Sequence, residues 1–435
     1  MNQDERHFIL NEVRQANRCS RPIRLRGEMV HLGTGEVVSK SLLVSCKDRR
    51  RVLCPACADL YQADAFILVA TGLYGGKGVV EAVDGHPRVF LTVTAPAFGP
   101  VHRISNRGNC HASPHLGRCE HGKSLRCTLR HSEVDTLLGS PLCDACFDYE
   151  GAVLWNAHST TLWNRFISAT RRDVAAQLQI VRKDIPSSIL LSYLKVAEFQ
   201  HRGLVHFHAI VRLDGPRGPE DMPPPGASAE ALMTAINRAL PLAWLSDARG
   251  NRHVFGRQSH CIDVSTDADT ARIASYLAKY SIKTTDGSKD FAQRFSSQRQ
   301  IEQLKDSHQQ RLALTAWELA RSPEFTKLRL HRHAHALGYR GHIITKSRKY
   351  STTFSALRSA RADYMAPENE LQVLPGTFNF DGVGYQHQKS KELAELFFQM
   401  DKELRSEAAE RRRQADMSSE MSPDMSSDSG PNTTS

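Results

Sequence analysis

Apolar and polar positions recur along this chain with two different periods, and the changes of period predict its elements. Residues 88–94 (RVFLTVT) form an apolar run rich in β-branched and aromatic side chains, stopped by Pro96, which predicts a buried strand. Residues 105–150 show little hydrophobic periodicity. From 154 to 178 the large apolar residues Trp155, Leu162, Trp163 and Phe166 fall near helical spacing. Two apolar runs, 189–198 and 205–213, predict strands, and Gly203-Leu204 between them suits a hairpin-like connection. Residues 214–228 hold five prolines and three glycines and predict a loop. A helix is expected over 229–245, a short strand over 261–264, and a helix capped by Asp267-Ala-Asp-Thr and running to about Lys283. Beyond Thr285 the pattern is helical and basic to about Arg361. A charged helix near 389–413 then leads into a Ser-, Met- and Asp-rich tail whose composition predicts disorder. No fixed-period repeat is present.

Composition narrows the class. A chain of 435 residues is long enough for about two to four domains. The expected regions are 1–85, Cys-rich and zinc-binding; 86–285, with a second Cys/His-rich insert at 105–150; 286–366, helical and basic; and 367–435, a charged helix and acidic tail. Hydrophobic residues make up 40% and mean hydropathy is −0.42, with no apolar run long enough to span a bilayer, so no membrane partner is expected. The start, MNQDERHFIL, lacks the basic and apolar regions of a signal peptide, which predicts a cytoplasmic protein. Net charge is +10 and the pI near 9.1. Residues 417–435 carry three acids and no base, so the remainder holds +13, a surface suited to a polyanion.

Nine of the ten cysteines lie between Cys19 and Cys146, and only Cys261 falls outside. In a reducing compartment such clustering points to metal rather than disulfides. Cys54-x-x-Cys57, with Cys46 and Cys19 upstream, has the spacing of a four-thiolate Zn²⁺ site. A second structural zinc is expected on Cys119, Cys127, Cys143 and Cys146, with His121 the substitute and Cys110 a spare. Arg103, Arg107, Arg118 and Arg126 in that insert suit contact with DNA.

Inside the second predicted strand, His206-Phe207-His208 puts two imidazoles on one face and the phenyl ring on the other. Two neutral imidazoles on one face can hold a divalent metal, and a hairpin return brings Glu198 close as an oxygen ligand. A further alternation, His331, His333 and His335, falls in an Arg-rich segment read as helical, where the spacing spreads the rings over a solvated basic face. Tyr276-Leu-Ala-Lys279-Tyr280-Ser-Ile-Lys283 sets two phenols and two ammonium groups on one helical stripe, beside an apolar stripe of Ile273, Leu277 and Ile282. A phenol is a poor nucleophile unless a cation offsets its charge, which a neighbouring lysine and a metal supply.

Strand His-x-His followed by helix Tyr-x-x-Lys resembles the HUH endonucleases of rolling-circle replication, with residues 90–94 similar to their first motif strand. Residues 198–209 (EFQHRGLVHFHA), 337–342 (LGYRGH), 345–350 (TKSRKY) and the Cys-rich insert narrow the resemblance to replication initiators of actinobacterial plasmids and integrative conjugative elements. It covers about residues 15–365. The resemblance implies an α+β nickase domain over 86–285, a central antiparallel sheet flanked by helices, with zinc-binding inserts and a helical basic DNA-binding region after it. It implies Mg²⁺ or Mn²⁺ on His206, His208 and Glu198, attack by Tyr276 with Tyr280 as second nucleophile, Lys279 or Lys283 on the phosphate, a 5′-phosphotyrosine and a 3′-OH primer. Origin DNA, single-stranded or extruded as a hairpin and duplex, would be the substrate, with a host helicase and polymerase as partners and a nucleoid- or plasmid-associated location. Residues 71–78 (TGLYGGKG) lack P-loop spacing, so no ATPase is expected. A non-catalytic zinc-containing DNA-binding regulator and a related HUH transposase are the alternatives.

Overall fold

A computed structural model of the chain describes residues 3–105, 108–111, 113, 117–265, 270–283, 289–305, 307–365 and 371–420. Its first elements are α1 (Gln3–Gln15), β1 (Ile23–His31), β2 (Val37–Val44), α2 (Pro55–Tyr74), β3 (Arg88–Val93) and α3 (Tyr149–Gln177). There follow α4 (Ile185–Ser188), β4 (Leu190–Phe199), β5 (Val205–Asp214), α5 (Ala229–Ala239), β6 (Trp244–Ser246), β7 (Arg252–Val254), β8 (Ser259–Asp263) and α6 (Thr270–Ser281). The last are α7 (Gln298–Glu302), α8 (His308–Leu319), β9 (Ile344–Lys346), α9 (Phe354–Met365), β10 (Leu371–Val373), β11 (Asn379–Val383) and α10 (Gln388–Glu420). The architecture is mixed α+β with antiparallel sheets. No described helix is long and apolar enough to cross a membrane.

The chain divides into two compact units, Met1–Cys46 with Asn369–Ser435, and Lys47–Glu368. The division runs elsewhere than the boundaries read from sequence at 85/86 and 285/286, because it depends on pairing between distant segments. In the first unit β1 is central: β2 covers its length antiparallel, while β10 pairs Met29–His31 and β11 pairs Ile23–Arg26. Gly27 is required there, since a Cβ would sit 2.5 Å from the Phe378 ring. Helices α1 and α10 pack together, with Lys389 paired to Glu5 at 2.9 Å and the Ser390 hydroxyl on Glu12.

The second unit is built on a five-stranded sheet of order β8-β3-β5-β4-β9, every neighbouring pair antiparallel. Strand alternation gives each residue of β5 its side. Phe207, Ala209 and Val211 turn toward Trp155, Trp163 and Phe166 of α3, whereas Ile210 joins Leu194, Val196, Ile273 and Leu277 on the face covered by α2 and α6. Helix α2 has no apolar stripe because it is buried nearly all round, with Leu68, Val69, Ala70, Thr71 and Leu73 all inaccessible. That is why its sequence carries no periodic signal.

Three expectations are corrected. The helix read over 229–245 ends at Ala239, just before Pro241, and the chain turns into the β6–β7 hairpin. The segment 286–366 is not helical throughout: short 3-10 turns alternate with α7, α8 and α9, and β9 pairs with the edge of β4. His331, His333 and His335 lie on the 3-10 turn Leu330–Ala336, where burial pushes the His333 and His335 imidazoles down to about 4 instead of leaving a solvated charged face. The expected cap at 267–269 and the acidic tail from residue 421 lie outside the described residues.

Candidate functional site

The β4–β5 hairpin aligns Glu198 with His206 and Val196 with His208. Alternation then places both imidazoles and the carboxylate on the α6 face of the sheet, and the Phe207 ring in the opposite core. Glu198 Oε2 lies 2.8 Å from His206 Nε2 and 3.2 Å from His208 Nε2. The three ligand atoms fall within 4.8 Å of one another, a donor set that fits a divalent cation. Burial alone would lift the Glu198 carboxyl, but hydrogen bonds with His206, His208 and Lys283 outweigh it and hold the group well below the usual carboxylate range. Burial lowers the His208 imidazole and favours the neutral form that a metal ligand requires.

His208 is oriented from behind by a residue that sequence reading did not single out. Thr92 on β3 faces it across the ladder, and its Oγ1 lies 2.9 Å from His208 Nδ1. With Nδ1–H donating to Thr92, Nε2 presents its lone pair toward Glu198. The strand pattern of residues 88–94 was legible; the pairing of Thr92 with His208 depends on register between segments 116 residues apart.

Helix α6 brings the tyrosines to this group. Ile273, Ala274, Leu277 and Ala278 are buried against the sheet, so the stripe of Tyr276, Lys279 and Tyr280 faces outward at its edge. Tyr276 Oη is 3.3 Å from His208 Nε2, and the Tyr276 and Tyr280 rings meet edge-on with centroids 4.6 Å apart. Lys283 Nζ donates to Glu198 Oε1 at 2.9 Å and stands 4.2 Å from the Tyr280 ring centre. Burial, then the Tyr280 hydroxyl and the Glu198 charge, raise the Tyr276 phenol above its ordinary range, so it needs a cation to ionise. The end of α6 is tied down by Arg49, whose Nη1 donates to the carbonyls of Ser281 at 3.1 Å and Lys283 at 2.7 Å. Only its place in the basic run 47–51 marked it in the sequence. A cleft of about 1170 Å³ opens over the site, and Arg51, Lys279, Lys283 and Lys305 stand on its walls.

The cysteines of the 105–150 insert sort differently from the spacing argument. None of the ten cysteines is in a disulfide. Cys119, Cys143 and Cys146 come together with His121, whose Nδ1 is 3.2 Å from Cys146 Sγ. Cys127 is not part of that group, because it is held in a two-residue ladder with His111 by hydrogen bonds of 2.8 and 3.1 Å. It lies instead with Cys110, His102 and His131. The spacing Cys127-x-x-x-His131 was the available signal. Cys54 stands at the N-cap position of α2 and Cys57 in its first turn, while Cys19 and Cys46 belong to the other unit, where Cys46 N–H donates to Cys19 Sγ at 3.3 Å. Of the arginines expected near DNA, Arg103, Arg118 and Arg126 are exposed and Arg107 lies outside the described residues.

The family model described as "Replication initiator protein, pSAM2" matches residues 6–399. A replication initiator protein of Streptomyces ambofaciens is 35% identical over 388 residues, covering 83% of this chain and 81% of that one. No solved structure matches.

Proposed function

The chain belongs to the pSAM2 replication initiator family, and from that premise we propose that it starts rolling-circle replication as an HUH nickase, cutting and rejoining origin DNA through tyrosine. The observation that carries this reading is the convergence of Tyr276 on Glu198, His206 and His208, with Tyr276 Oη 3.3 Å from His208 Nε2. Those three residues would hold the divalent ion, and two imidazole nitrogens with one carboxylate oxygen suit Mn²⁺ better than Mg²⁺. When bound, the ion polarises the scissile phosphate.

Tyr276 Oη attacks the phosphorus in line and forms the new P–O bond, leaving a 5′-phosphotyrosine. The bond to the 3′ oxygen breaks, the phenol proton passes to water in the open cleft, and the departing oxygen takes up a proton to become the 3′-OH primer. One phosphoester replaces another, so the same groups run the step backwards and rejoin the ends. Tyr280, packed edge-on against Tyr276, serves as the second nucleophile while the first strand is still held. Lys279, exposed in the cleft, meets the phosphate backbone, and Lys283 offsets the charge of Glu198. Cys119, His121, Cys143 and Cys146 would hold a structural zinc. The freed 3′-OH would pass to a host polymerase, with a host helicase opening the duplex.

The test is incubation with single-stranded origin DNA and Mn²⁺. A covalent protein–DNA adduct is expected, lost in Tyr276→Phe/Tyr280→Phe and in His206→Ala/His208→Ala, the latter with its zinc content unchanged. Origin binding with no adduct under these conditions would make the protein a non-catalytic regulator. Joining of the cut end to unrelated target DNA would make it a transposase.

A further inference from the structure

The insert between β3 and α3 lacks a core of its own. Among its described residues from 99 to 146, Leu138 is the one buried apolar side chain that is not a cysteine, and the 3-10 turn Asp144–Cys146 is its one helical element. A segment of this kind holds its shape through crosslinks or metals, and its thiols are free.

We propose that His102, Cys110, Cys127 and His131 form a zinc site of their own, separate from the Cys119–His121–Cys143–Cys146 group. The four ligand atoms lie within 4.8 Å of one another. His131 Nε2 is 3.0 Å from His102 Nδ1 and 3.4 Å from Cys127 Sγ. Zinc bonds of about 2.0 Å to nitrogen and 2.3 Å to sulfur give tetrahedral edges of roughly 3.3 to 3.8 Å, so little movement would close the shell. The orientation is that of a ligand. His131 Nδ1–H donates to Asp135 Oδ2 at 2.7 Å, which turns the lone pair of Nε2 into the gap between the other donors. Cys110 Sγ accepts the Arg103 backbone N–H at 3.2 Å, which fixes the direction of the sulfur.

The two groups are interleaved along the chain. His102 and Cys110 belong to one, Cys119 and His121 to the other, Cys127 and His131 to the first again, and Cys143 and Cys146 to the second. Each metal therefore crosslinks loops that also carry ligands of its neighbour, and the pair replaces a hydrophobic core. The site also bears on the cleft: Asp135, with Glu133, Val134, Thr136 and Leu138, forms one wall of the cavity over Tyr276. That consequence rests on the nicking reading, whereas the site itself does not.

Zinc content, read by elemental mass spectrometry on the full-length chain without DNA, tests the site independently of nicking. Cys127→Ser is expected to lose at least one equivalent, and Cys127→His, which restores a ligand, to keep it. Wild-type zinc content in Cys127→Ser overturns the proposal. Because Cys127→Ser could unfold the insert, Asp135→Asn supplies a second measurement, since it leaves all four ligands in place. One zinc should pass to a competing chelator about 10 to 100 times more readily than in wild type, with the others unchanged. Release indistinguishable from wild type overturns the site as well.

Discussion

At the residue scale the members of the candidate site were legible and the residues that support them were not. His206, His208 and Glu198 announce themselves through strand alternation and a hairpin, and Tyr276 and Tyr280 through helical spacing. Thr92 acts only through His208 and is an ordinary strand threonine until the register is known. Thr92→Val keeps the shape and removes the acceptor 2.9 Å from Nδ1. It should raise the Mn²⁺ concentration needed for half-maximal nicking by about 10- to 100-fold, with the rate recovered at saturating Mn²⁺ and Thr92→Ser near wild type. Lys195 makes a different prediction. It is buried among the Trp163 and Phe207 rings, its Nζ 4.1 Å from the Phe207 centroid and without a hydrogen-bond partner among the described residues. The ring faces favour the ammonium form, but with no oxygen to receive it burial dominates and pushes the group down to about 7. The unfolded chain then binds the proton more tightly, so stability should rise as pH rises from about 7 toward 10.5. Lys195→Met should remove that rise and increase the melting temperature at pH 7, measured as the difference between the two proteins across this range.

At the scale of elements, those with a period were visible and those defined by a distant partner were not. Helices α3 and α6 each turn an apolar stripe to the core, and strands β4 and β5 are apolar runs buried on both faces, so their patterns located them within a few residues. Helix α2 is apolar all round, and β9 is three residues long and owes its strand geometry to the free edge of β4. The sorting of the insert's cysteines missed Cys127 for the same reason, since a short ladder with His111 carries it to another Cys/His group. Helix α6 shows how such distant ties enter the site. Arg49 donates to the carbonyl of Ser281, the last residue of the helix, and to that of Lys283 just beyond it, groups the helix itself leaves unpaired. Arg49→Ala should loosen the end that carries Tyr280 and Lys283 by about 1–2 kcal/mol, seen as faster amide exchange over 277–283. Nicking should fall while the Mn²⁺ requirement stays put, because Glu198, His206 and His208 sit on the hairpin rather than on α6.

For the whole molecule, a net charge of +10 concentrated as +13 on residues 1–416 pointed to a polyanion without saying how the chain divides. The division joins the first 46 residues to the last 67, and the reason is β1: its partners β10 and β11 are more than 300 residues away in sequence. Nothing local to residues 23–31 specifies those partners, and the alternation of arginines with apolar residues there reads equally well as an exposed basic stretch. Removing residues 369–435 deletes β10, β11 and α10 together. Strand β1 would keep only β2, a two-stranded ribbon that is marginal in water, and Gly27 would lose the Phe378 ring it accommodates. Amide exchange in the truncated chain should therefore become fast across Ile23–His31 while β4, β5 and α3 stay protected. The sheet, the tyrosine helix and both Cys/His groups of the insert lie within Lys47–Glu368, so adduct formation on single-stranded origin DNA should persist. Loss of protection in β5 on truncation would show that the two units fold as one.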